Sequence, residues 1–437
     1  MNIAVIGTGY VGLVTGVCLA EIGHHVACID VDEKKIELMK LGTSPFYEPQ
    51  LEEYMKKNMQ RNRLEFTNDH LQGLKNKNVI FIAVGTTENE DGTANIEHVE
   101  AAAKRIAADV TNDVIVVIKS TVPVGTNEHI KRIIINNLAS PVHVDIVSNP
   151  EFLREGSAIN DTFFADRIII GAENDFAAKV VEDINGPFGV PVVKTHLRSA
   201  EMIKYASNAF LATKISFINE IAGICEKLDT NVEDVARGMG KDERIGNRYL
   251  HPGIGYGGSC FPKDTKALIQ MAGNVHHNFE LLKSVIKVNQ KQQTILIDKA
   301  ERHFGHLKGR HIAILGFSFK PGTDDMREAP SILITKKLKE KGATIAAYDP
   351  AASENAKSIL PAFVRYEPTI EKALEKADAV FILTEWEEIK SFNFGKAHQF
   401  MKNPVIFDGR NCFNLDEIKQ SGVEYHSIGR PSVNSGQ

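Results

Sequence analysis

The sequence predicts an α/β protein with two Rossmann-like doubly wound domains joined by a long central helix. Short apolar strand patterns alternate with helical patterns at the start of the chain, and a strand running into a glycine turn occurs again near residue 311. A helical pattern with few breakers separates the two regions. Such alternation is typical of a mainly parallel sheet covered by helices. We therefore expect three domains, over residues 1–195, 196–300 and 301–437.

Composition excludes several classes of protein. A chain of 437 residues with 43% hydrophobic content can bury several cores, and a net charge of −5 provides no basic field for nucleic acid. Five cysteines without close pairs argue against a disulfide scaffold and a CxxC metal site, so we predict no metal and a reducing, cytoplasmic location. No apolar run approaches the roughly 20 residues of a membrane span.

The first strand pattern leads into Gly7-Thr-Gly9-Tyr-Val-Gly12, and the second strand ends in Asp30. In this context Gly7 makes a tight turn, Gly9 admits a pyrophosphate and Gly12 lets helix and strand pack closely. Asp30 can bind both ribose hydroxyls and repels a 2′-phosphate. The pattern therefore predicts a dinucleotide site that prefers NAD to NADP.

Polar residues follow several of the later strands. The predicted strands cover 79–84, 114–118, 144–147 and 168–170, and the predicted helices cover 96–108 and 126–137. Ligands bind beyond the carboxyl ends of strands in such sheets, which directs attention to Thr86, Thr121 and Glu151. From position alone, Thr121 could equally cap a turn and Glu151 could equally be an exposed loop acid.

After Pro191 the pattern becomes a long helix, about 199–228, on which Lys204 and Asn208 share one face. Their neighbours are apolar, so Lys204 needs a partner or a role, because burial disfavours its charge. A lysine and an amide one turn apart can hold an oxyanion, although a snorkelling lysine is the alternative. Thr230 and Glu233 then predict a capping box for the next helix.

Cys260 lies at the end of the glycine-rich stretch 253–258, just before a predicted helix start. Pro262 suits the first turn of that helix. A thiol there faces unpaired N–H groups and the positive end of the helix dipole, and Lys263 is adjacent, so we expect its pKa to fall below the roughly 8.5 of a free cysteine. The alternative is a small buried cysteine beside a turn.

The beginning of the chain recurs after a helical stretch over 279–304. The segment 3–7 resembles 312–316, and 23–30 aligns without gaps on 342–349. The second copy carries an insertion of ten residues within 317–327 and lacks the G-x-G-x-x-G pattern, so it should bind something other than a dinucleotide.

Three cations in the second copy are suited to anionic phosphates: Lys320 and Arg327 within the insertion, and Arg410 after a later strand. Each could equally be a solvated surface residue. The second copy is therefore predicted to bind a phosphorylated ligand.

Three motifs together resemble one family over essentially the whole chain. They are Gly-Gly-Ser-Cys-Phe-Pro-Lys-Asp, Asn-Pro-Glu-Phe-Leu-Arg-Glu-Gly and Ser-Thr-Val-Pro-Val-Gly-Thr. The chain resembles the UDP-glucose 6-dehydrogenases of the UDP-glucose/GDP-mannose dehydrogenase family. It departs from the family pattern at Thr87 and Asn95, where proline and aspartate are more usual, and this puts the rigidity of that loop in doubt.

The resemblance implies a site for each ligand. The implied catalytic residues are Cys260 as nucleophile, with Lys204, Asn208, Asp264, Glu151 and Thr121. The implied NAD contacts are Gly7, Gly9, Tyr10, Val11, Gly12, Asp30, Lys35, Thr86, Thr121, Glu155, Lys263 and Arg327. The implied UDP-glucose contacts are Glu151, Phe152, Leu153, Arg154, Glu155, Lys204, Asn208, Arg244, Tyr249, Leu250, Gly253, Gly257, Phe319, Lys320 and Arg410.

The resemblance also implies an assembly and a mechanism. The first domain would hold NAD, the last would hold the uridine nucleotide, and the central helix would form a homodimer in which Arg244 reaches the neighbouring subunit's substrate. The implied reaction is a four-electron oxidation of a primary alcohol through a thiohemiacetal and a thioester on Cys260. Covalent capture keeps a reactive aldehyde bound between the two oxidations.

Three alternatives remain at the level of the sequence. A GDP-mannose 6-dehydrogenase has the same chemistry with a different base and sugar. A two-electron dehydrogenase of the hydroxyacyl or phosphogluconate type also uses lysine and asparagine, but needs neither Cys260 nor a second nucleotide domain. A sensor of NAD or nucleotide sugars would bind both ligands without turnover.

Overall fold

A computed structural model describes residues 1–360 and 362–434. The chain divides into two compact units. The first contains Met1–Ser207 and Lys266–His277, and the second contains Asn208–Thr265 and Asn278–Gln437. The predicted three-domain boundaries stay a prediction.

The first unit is built on one eight-stranded sheet. Its strands are β1 (Asn2–Ile6), β2 (His25–Ile29), β3 (Leu64–Thr67), β4 (Val79–Ile82), β5 (Val114–Ile118), β6 (Val144–Ser148), β7 (Ile168–Ala172) and β8 (Val192–Thr195). Its helices are α1 (Tyr10–Glu21), α2 (Glu33–Lys40), α3 (Leu51–Gln60), α4 (His70–Leu74), α5 (Glu97–Asp109), α6 (Thr126–Asn136), α7 (Ala158–Phe163) and α8 (Asp175–Asn185). The strand order is β3-β2-β1-β4-β5-β6-β7-β8; β7 pairs antiparallel with β6 and parallel with β8, so these last two strands run opposite to the other six.

The central strands of this sheet are buried on both faces. Every residue of β4, β5 and β6 is buried, and β4 and β5 accordingly consist of continuous apolar runs rather than alternating ones. The polar residues that follow them lie at the carboxyl edge, next to the point between β1 and β4 where the strand order reverses.

Two helices contain residues of both units: α9 (Leu197–Lys227) and α11 (Phe261–Asn274). The other helices of the second unit are α10 (Val232–Gly240), α12 (Glu280–Gln292), α13 (Ile295–Phe304), α14 (Pro330–Glu340), α15 (Ser353–Ile359), α16 (Ile370–Leu374), α17 (Glu387–Lys390) and α18 (Leu415–Ser421). Its strands are β9 (His311–Leu315), β10 (Thr344–Tyr348), β11 (Val364–Tyr366), β12 (Ala379–Ile382), β13 (Val405–Asp408) and β14 (Glu424–His426).

The second sheet confirms the predicted repeat. Its order, β11-β10-β9-β12-β13-β14, is that of the first six strands of the other sheet, and all of its pairs are parallel. The glycine turn recurs as well. The amide of Thr8 donates to Asp30 Oδ2 at 2.8 Å, and the amide of Phe317 donates to Asp349 Oδ2 at 2.6 Å. The same acid therefore braces the same turn in both domains.

The long helix predicted over about 199–228 is confirmed as α9, but two strands, β3 and β8, were not predicted. Both are short edge elements; the residues of β8 are at most half-buried, so they carry little apolar pattern.

The predicted capping box at Thr230 and Glu233 was wrong. Asn231 caps α10 by accepting from the Glu233 amide at 2.9 Å, while Thr230 bonds back to Cys225 in the last turn of α9. The Glu233 carboxylate instead accepts from Arg430.

The helical stretch over 279–304 is two helices, α12 and α13. The Thr294 hydroxyl donates to the Lys291 carbonyl at the break, and such side-chain bonds compete with helix continuation. No helix in the described part of the chain is long and apolar enough to cross a membrane.

Candidate active site

The β1–α1 turn has the geometry of a dinucleotide turn. Gly7 has a φ of +94°, in the left-handed region, and a Cβ at Gly12 would lie 1.9 Å from the Gly7 carbonyl oxygen. A Cβ at Gly9 would meet no atom within 4 Å, so the space in front of the first turn of α1 is open. The N-terminus of a twelve-residue helix faces that space, which suits a pyrophosphate.

Asp30 is held in a fixed orientation at the end of β2. Its Oδ2 accepts from the amide and hydroxyl of Thr8 at 2.8 and 2.6 Å, and its Oδ1 accepts from the Asp32 amide at 3.0 Å. Burial raises the pKa of the Asp30 carboxyl, but the hydrogen bonds from Thr8 and Asp32 and the Lys35 charge outweigh it. The net pKa of Asp30 lies below the ordinary value of an aspartate, so its side chain is an anion at the position where a ribose would bind.

The carboxyl ends of β4 and β5 are tied together. The Thr86 hydroxyl donates to the Thr121 carbonyl at 3.0 Å. The loop after Thr86 is a hairpin in which the Asn95 amide donates to Thr87 and the Asn89 amide donates to Thr93, both at 2.8 Å. The departure from the family pattern at Thr87 and Asn95 therefore leaves this loop cross-linked by backbone hydrogen bonds.

Lys204 and Glu151 form a buried ion pair in the first unit. The Lys204 Nζ lies 2.9 Å from Glu151 Oε1, and the two side chains are only 4% and 6% exposed. The second carboxylate oxygen of Glu151 accepts from the Leu153 amide at 2.8 Å. The Lys204 ammonium also lies over the Phe152 ring, 5.2 Å from its centroid. The buried lysine therefore has a partner, and that partner is Glu151, another of the implied catalytic residues.

Lys119 was not predicted as a functional residue. It follows β5 directly, and its Nζ donates to the carbonyl and side-chain oxygens of Asn149 at 3.3 and 3.1 Å. Burial lowers its pKa to about 8, the Glu151 carboxylate opposes that shift, and the Lys204 charge adds to it. The available signal in the sequence was a lysine that directly follows five apolar residues.

Glu201 is a second residue that the sequence did not reveal. It lies on α9, one turn before Lys204, and its buried carboxylate accepts from the Gly125 amide at 2.6 Å and the Asn127 amide at 2.8 Å. Burial raises its pKa, and the hydrogen bonds from Asn127 and Gly125 oppose that rise. Glu201 therefore anchors the start of α6, just after the Thr121 loop.

The predicted nucleophile lies in the second unit, at the start of α11. Cys260 is half-buried and directly precedes Phe261, the first helical residue, and its carbonyl accepts from the Asp264 amide at 2.8 Å. The Ser259 hydroxyl lies 3.6 Å from the Cys260 sulfur. Pro262 occupies the first turn as predicted, so the thiol is at the positive end of a 14-residue helix.

Asp264 connects two of the other predicted residues. Its Oδ2 accepts from Asn208 Nδ2 at 2.7 Å, and its Oδ1 accepts from Lys263 Nζ at 2.7 Å. Asp264 is 1% exposed and Asn208 is 5% exposed. Lys263 is therefore bonded to Asp264, one turn beyond Cys260, and Asn208 has its amide oriented by a buried carboxylate.

The glycine-rich loop before Cys260 packs against the second Rossmann-like domain. A Cβ at Gly257 would lie 2.3 Å from the Glu328 carbonyl oxygen, and a Cβ at Gly258 would lie 2.8 Å from the Phe319 ring. The implied UDP-glucose contact at Gly257 stays a prediction, and protein atoms occupy the place that a Cβ would take at both glycines. Their absence of side chains lets the cysteine loop contact the ten-residue insertion.

Arg410 bridges the same elements. Its guanidinium donates to the carbonyls of Leu383 at 2.9 Å, Gly255 at 3.2 Å and Phe319 at 3.2 Å. These bonds fix the cation beside the insertion, where it was predicted to meet a phosphate. In contrast, Arg327 is bonded to Asp325 within the insertion.

The remaining predicted residues lie in three groups. Tyr10, Val11 and Lys35 are on the first turns of α1 and α2, while Phe152, Leu153, Arg154 and Glu155 form the loop after β6. Arg154 pairs with Asp161 within that loop. The chain passes through Tyr249, Leu250 and Gly253 before it reaches Cys260. The Lys320 ammonium lies over the Phe319 ring. Arg244 pairs with Asp242, and 88% of the Arg244 side chain is exposed.

These features define a class of protein. The open glycine turn, with an acid held after β2, is the dinucleotide site of a nicotinamide-dependent dehydrogenase. The second Rossmann-like domain lacks an available acid, since Asp349 is 4% exposed and bonded to Phe317, Ser318 and Trp386.

The chain belongs to the UDP-glucose/GDP-mannose dehydrogenase family. Residues 1–189 match its NAD binding domain, 198–291 its central domain and 313–415 its UDP binding domain. These matches confirm the predicted family and the predicted NAD-dependent oxidoreductase.

Similar proteins agree with this assignment. The chain is 59% identical to the UDP-glucose 6-dehydrogenase YwqF of Bacillus subtilis over 99% of this chain and 98% of that protein. A UDP-glucose dehydrogenase from Pyrobaculum islandicum has a similar structure, with a TM-score of 0.92, 35% identity and 98% of each chain covered. A GDP-mannose dehydrogenase from Pseudomonas aeruginosa is less similar, with a TM-score of 0.55, 28% identity and coverage of 94% of this chain and 96% of that one.

Proposed function

We propose that this chain oxidises the primary alcohol of UDP-glucose to the carboxylate of UDP-glucuronate, with NAD as the hydride acceptor. The observation that carries the proposal is Cys260 at the start of α11, in a loop packed against the UDP-binding domain. The relatives above support UDP-glucose, since the 59% identical protein is named for that substrate and the GDP-mannose enzyme is only 28% identical.

The reaction has three stages. The alcohol loses a hydride and a proton and becomes an aldehyde. The Cys260 sulfur then adds to the aldehyde carbon and forms a thiohemiacetal, whose loss of a second hydride and a proton gives a thioester. Water attacks the thioester, the carbon–sulfur bond breaks, and the acid and the Cys260 thiol are released. Bound NAD supplies the acceptor for each hydride, with one molecule consumed per oxidation.

The structure suggests a role for each buried polar group. Lys204 and Asn208 donate to the successive oxyanions, and each is oriented by a carboxylate, Glu151 for the lysine and Asp264 for the amide. Glu151 acts as the general base when water attacks, and its buried carboxylate is paired with the ammonium of Lys204. Asp264 positions water. Thr121, at the carboxyl end of β5, is a supporting residue of the nucleophile.

Cofactor and substrate are held by the two Rossmann-like domains. Gly7, Gly9 and Gly12 leave room for the pyrophosphate of NAD, and Asp30 binds the ribose. Lys320 and Arg410 bind the diphosphate of the sugar nucleotide, with Phe319 between them on the insertion. We also propose a cytoplasmic location, in which all five cysteines stay reduced.

A homodimer through α9 is part of the proposal. Phe210, Phe217 and Ile224 recur every seventh residue on this helix and are 65%, 50% and 52% exposed, so they form an apolar stripe. A stripe of this length on a helix is typical of a contact surface. The exposed Arg244 is suited to reach the substrate of the second subunit.

A substrate panel tests the proposal. With NAD in excess, UDP-glucose should give the highest kcat/KM among UDP-glucose, GDP-mannose and UDP-N-acetylmannosamine, and NADP should give little turnover because of Asp30. Preferred turnover of GDP-mannose would contradict the assigned substrate. Binding of NAD and UDP-glucose without NADH formation would instead support a sensor.

A further inference from the structure

Three side chains outside the catalytic residues converge on the surface of the second unit. They are His303 in the last turn of α13 and Glu424 and His426, which lie on one face of the edge strand β14. The Glu424 Oε1 lies 3.1 Å from His303 Nδ1 and 2.8 Å from His426 Nε2. All three potential ligand atoms lie within 4.8 Å of one another.

These distances fit a shared cation. Zinc bound to imidazole nitrogen and carboxylate oxygen at about 2.0–2.2 Å places neighbouring ligand atoms roughly 3–3.5 Å apart in a tetrahedral site. Two of the separations here already lie close to that range. Two imidazoles and one carboxylate are also a donor set preferred by borderline transition metals rather than by calcium or magnesium.

The surroundings hold His426 in a ligating orientation. Its ring stacks on Phe407, with centroids 5.0 Å apart and planes inclined by 13°. Its second nitrogen, Nδ1, lies 3.1 Å from the Ser432 hydroxyl. Metal-bound histidines usually donate this second N–H to a fixed acceptor, and a serine hydroxyl can accept as well as donate.

The local charge also permits a cation. With neutral imidazoles, the cluster carries only the negative charge of Glu424. The nearest lysine on α13, Lys299, is bonded through Nζ to Glu226 Oε1 at 2.7 Å, so its charge is paired. The side chain of His303 is 26% exposed, which leaves a path for an ion and room for a water ligand.

We propose that His303, Glu424 and His426 form a binding site for a divalent transition-metal cation of the zinc type, separate from the catalytic residues. The ion would join the end of α13 to the edge strand of the UDP-binding domain. Because it would bind the folded domain and not an unfolded chain, it would stabilise that domain in proportion to its concentration.

Calorimetric titration of the full-length protein with zinc chloride, in a buffer that does not chelate, tests this site. We expect one zinc per chain and a higher melting temperature in zinc. His303→Gln and His426→Gln should each weaken the binding by more than the roughly 10–100-fold typical of losing a supporting hydrogen bond. His306→Gln is the matched control, because it removes an exposed histidine three residues from His303.

Zinc also binds thiolates, so the titration is repeated with Cys260→Ala, and cobalt is used as a spectroscopic substitute. The site predicts unchanged stoichiometry in Cys260→Ala and a cobalt spectrum without sulfur-to-metal charge transfer. Binding that survives both histidine substitutions, or that disappears in Cys260→Ala, would overturn the proposal. Because His303 is exposed, its variant should fold even if His426→Gln does not, and zinc binding of wild-type strength in that variant would be sufficient to reject the site.

Discussion

Among the five cysteines, Cys260 differs from the others in its position in the fold. Burial raises the pKa of Cys18 and Cys28 to about 12, and burial together with the Asp408 charge raises that of Cys412. Cys225 is 4% exposed within a helix packed in the core. Cys260 is half-buried, as Cys412 is, but of the five it alone lies directly before the first residue of a helix. The proposed nucleophile is therefore distinguished from the other cysteines by its position in the backbone.

Replacing this thiol should separate binding from chemistry. Cys260→Ala is expected to bind NAD and UDP-glucose with affinities near wild type and to form no UDP-glucuronate, because the aldehyde can no longer be captured. Calorimetry measures the binding, and chromatography measures the acid. Cys225→Ala, which removes a buried thiol, should keep acid formation. Acid output from Cys260→Ala at the wild-type rate would show that another group is the nucleophile.

Lys119 predicts a pH dependence of stability. Its pKa is about 8 in the folded chain and near 10.4 in an unfolded one, so between these values the unfolded chain binds more protons. The free energy of unfolding contributed by this group therefore rises from pH 8 to about pH 10.4 and is flat below. Lys119→Met should lack that rise when denaturant unfolding is followed across this range.

Lys75→Met, which removes an exposed lysine after α4, is the control for this measurement and should follow the wild-type pH profile. Parallel profiles for wild type and Lys119→Met would mean that burial does not perturb Lys119.

The sequence singled out most of the candidate site residues but not their partners. Cys260, Lys204 and Asp30 were found because glycines, a helical pattern and a strand end mark them locally. Lys119 and Glu201 were missed, because each acts through residues distant in sequence, Asn149 for the lysine and Gly125 and Asn127 for the glutamate. Contacts of this kind depend on tertiary structure, and no local pattern encodes them.

At the scale of elements, α9 carries two of the proposed catalytic side chains and the proposed contact surface. Lys204 and Asn208 lie on one buried face, whereas Phe210, Phe217 and Ile224 are exposed. Burying several large apolar side chains between two copies would stabilise a dimer by about 1.5–3 kcal/mol for each fully buried side chain.

A charge placed in the stripe should break the dimer. Phe217→Glu is expected to shift the protein from dimer to monomer in light scattering coupled to size-exclusion chromatography, because a carboxylate cannot be buried unpaired between helices. Phe176→Glu is the matched control, since Phe176 is 68% exposed on α8, outside the stripe. A wild-type monomer, or a Phe217→Glu dimer of unchanged stability, would contradict the role of α9.

Several element boundaries could not be predicted from the sequence. At the break between α12 and α13, the Thr294 hydroxyl donates to the Lys291 carbonyl. The cap of α10 is Asn231, because Thr230 bonds to Cys225 at the end of α9. Two adjacent residues were both acceptable caps, and only the packing of the preceding helix selects between them. The reversal of β7 within a mainly parallel sheet was likewise not encoded in its apolar pattern.

At the scale of the whole molecule, the same strand order occurs in both Rossmann-like domains, but the surroundings of the acid after the second strand differ. Asp30 remains half-exposed beside an open turn, whereas Asp349 is enclosed by Ser318 and Trp386, and an insertion occupies its turn. The repeat was visible in the sequence through the alignment of 23–30 with 342–349. The packing of Gly257 and Gly258 against that insertion was not, because a glycine shows only that space is needed, not what fills it.

The central claim is that one chain performs two successive oxidations on the same sugar. It is tested most directly by counting NADH when a limiting amount of UDP-glucose is consumed to completion with NAD in excess. Capture of the aldehyde on Cys260 predicts two NADH for each UDP-glucose and UDP-glucuronate as the sole sugar product. One NADH for each UDP-glucose, with an aldehyde accumulating in solution, would contradict the account.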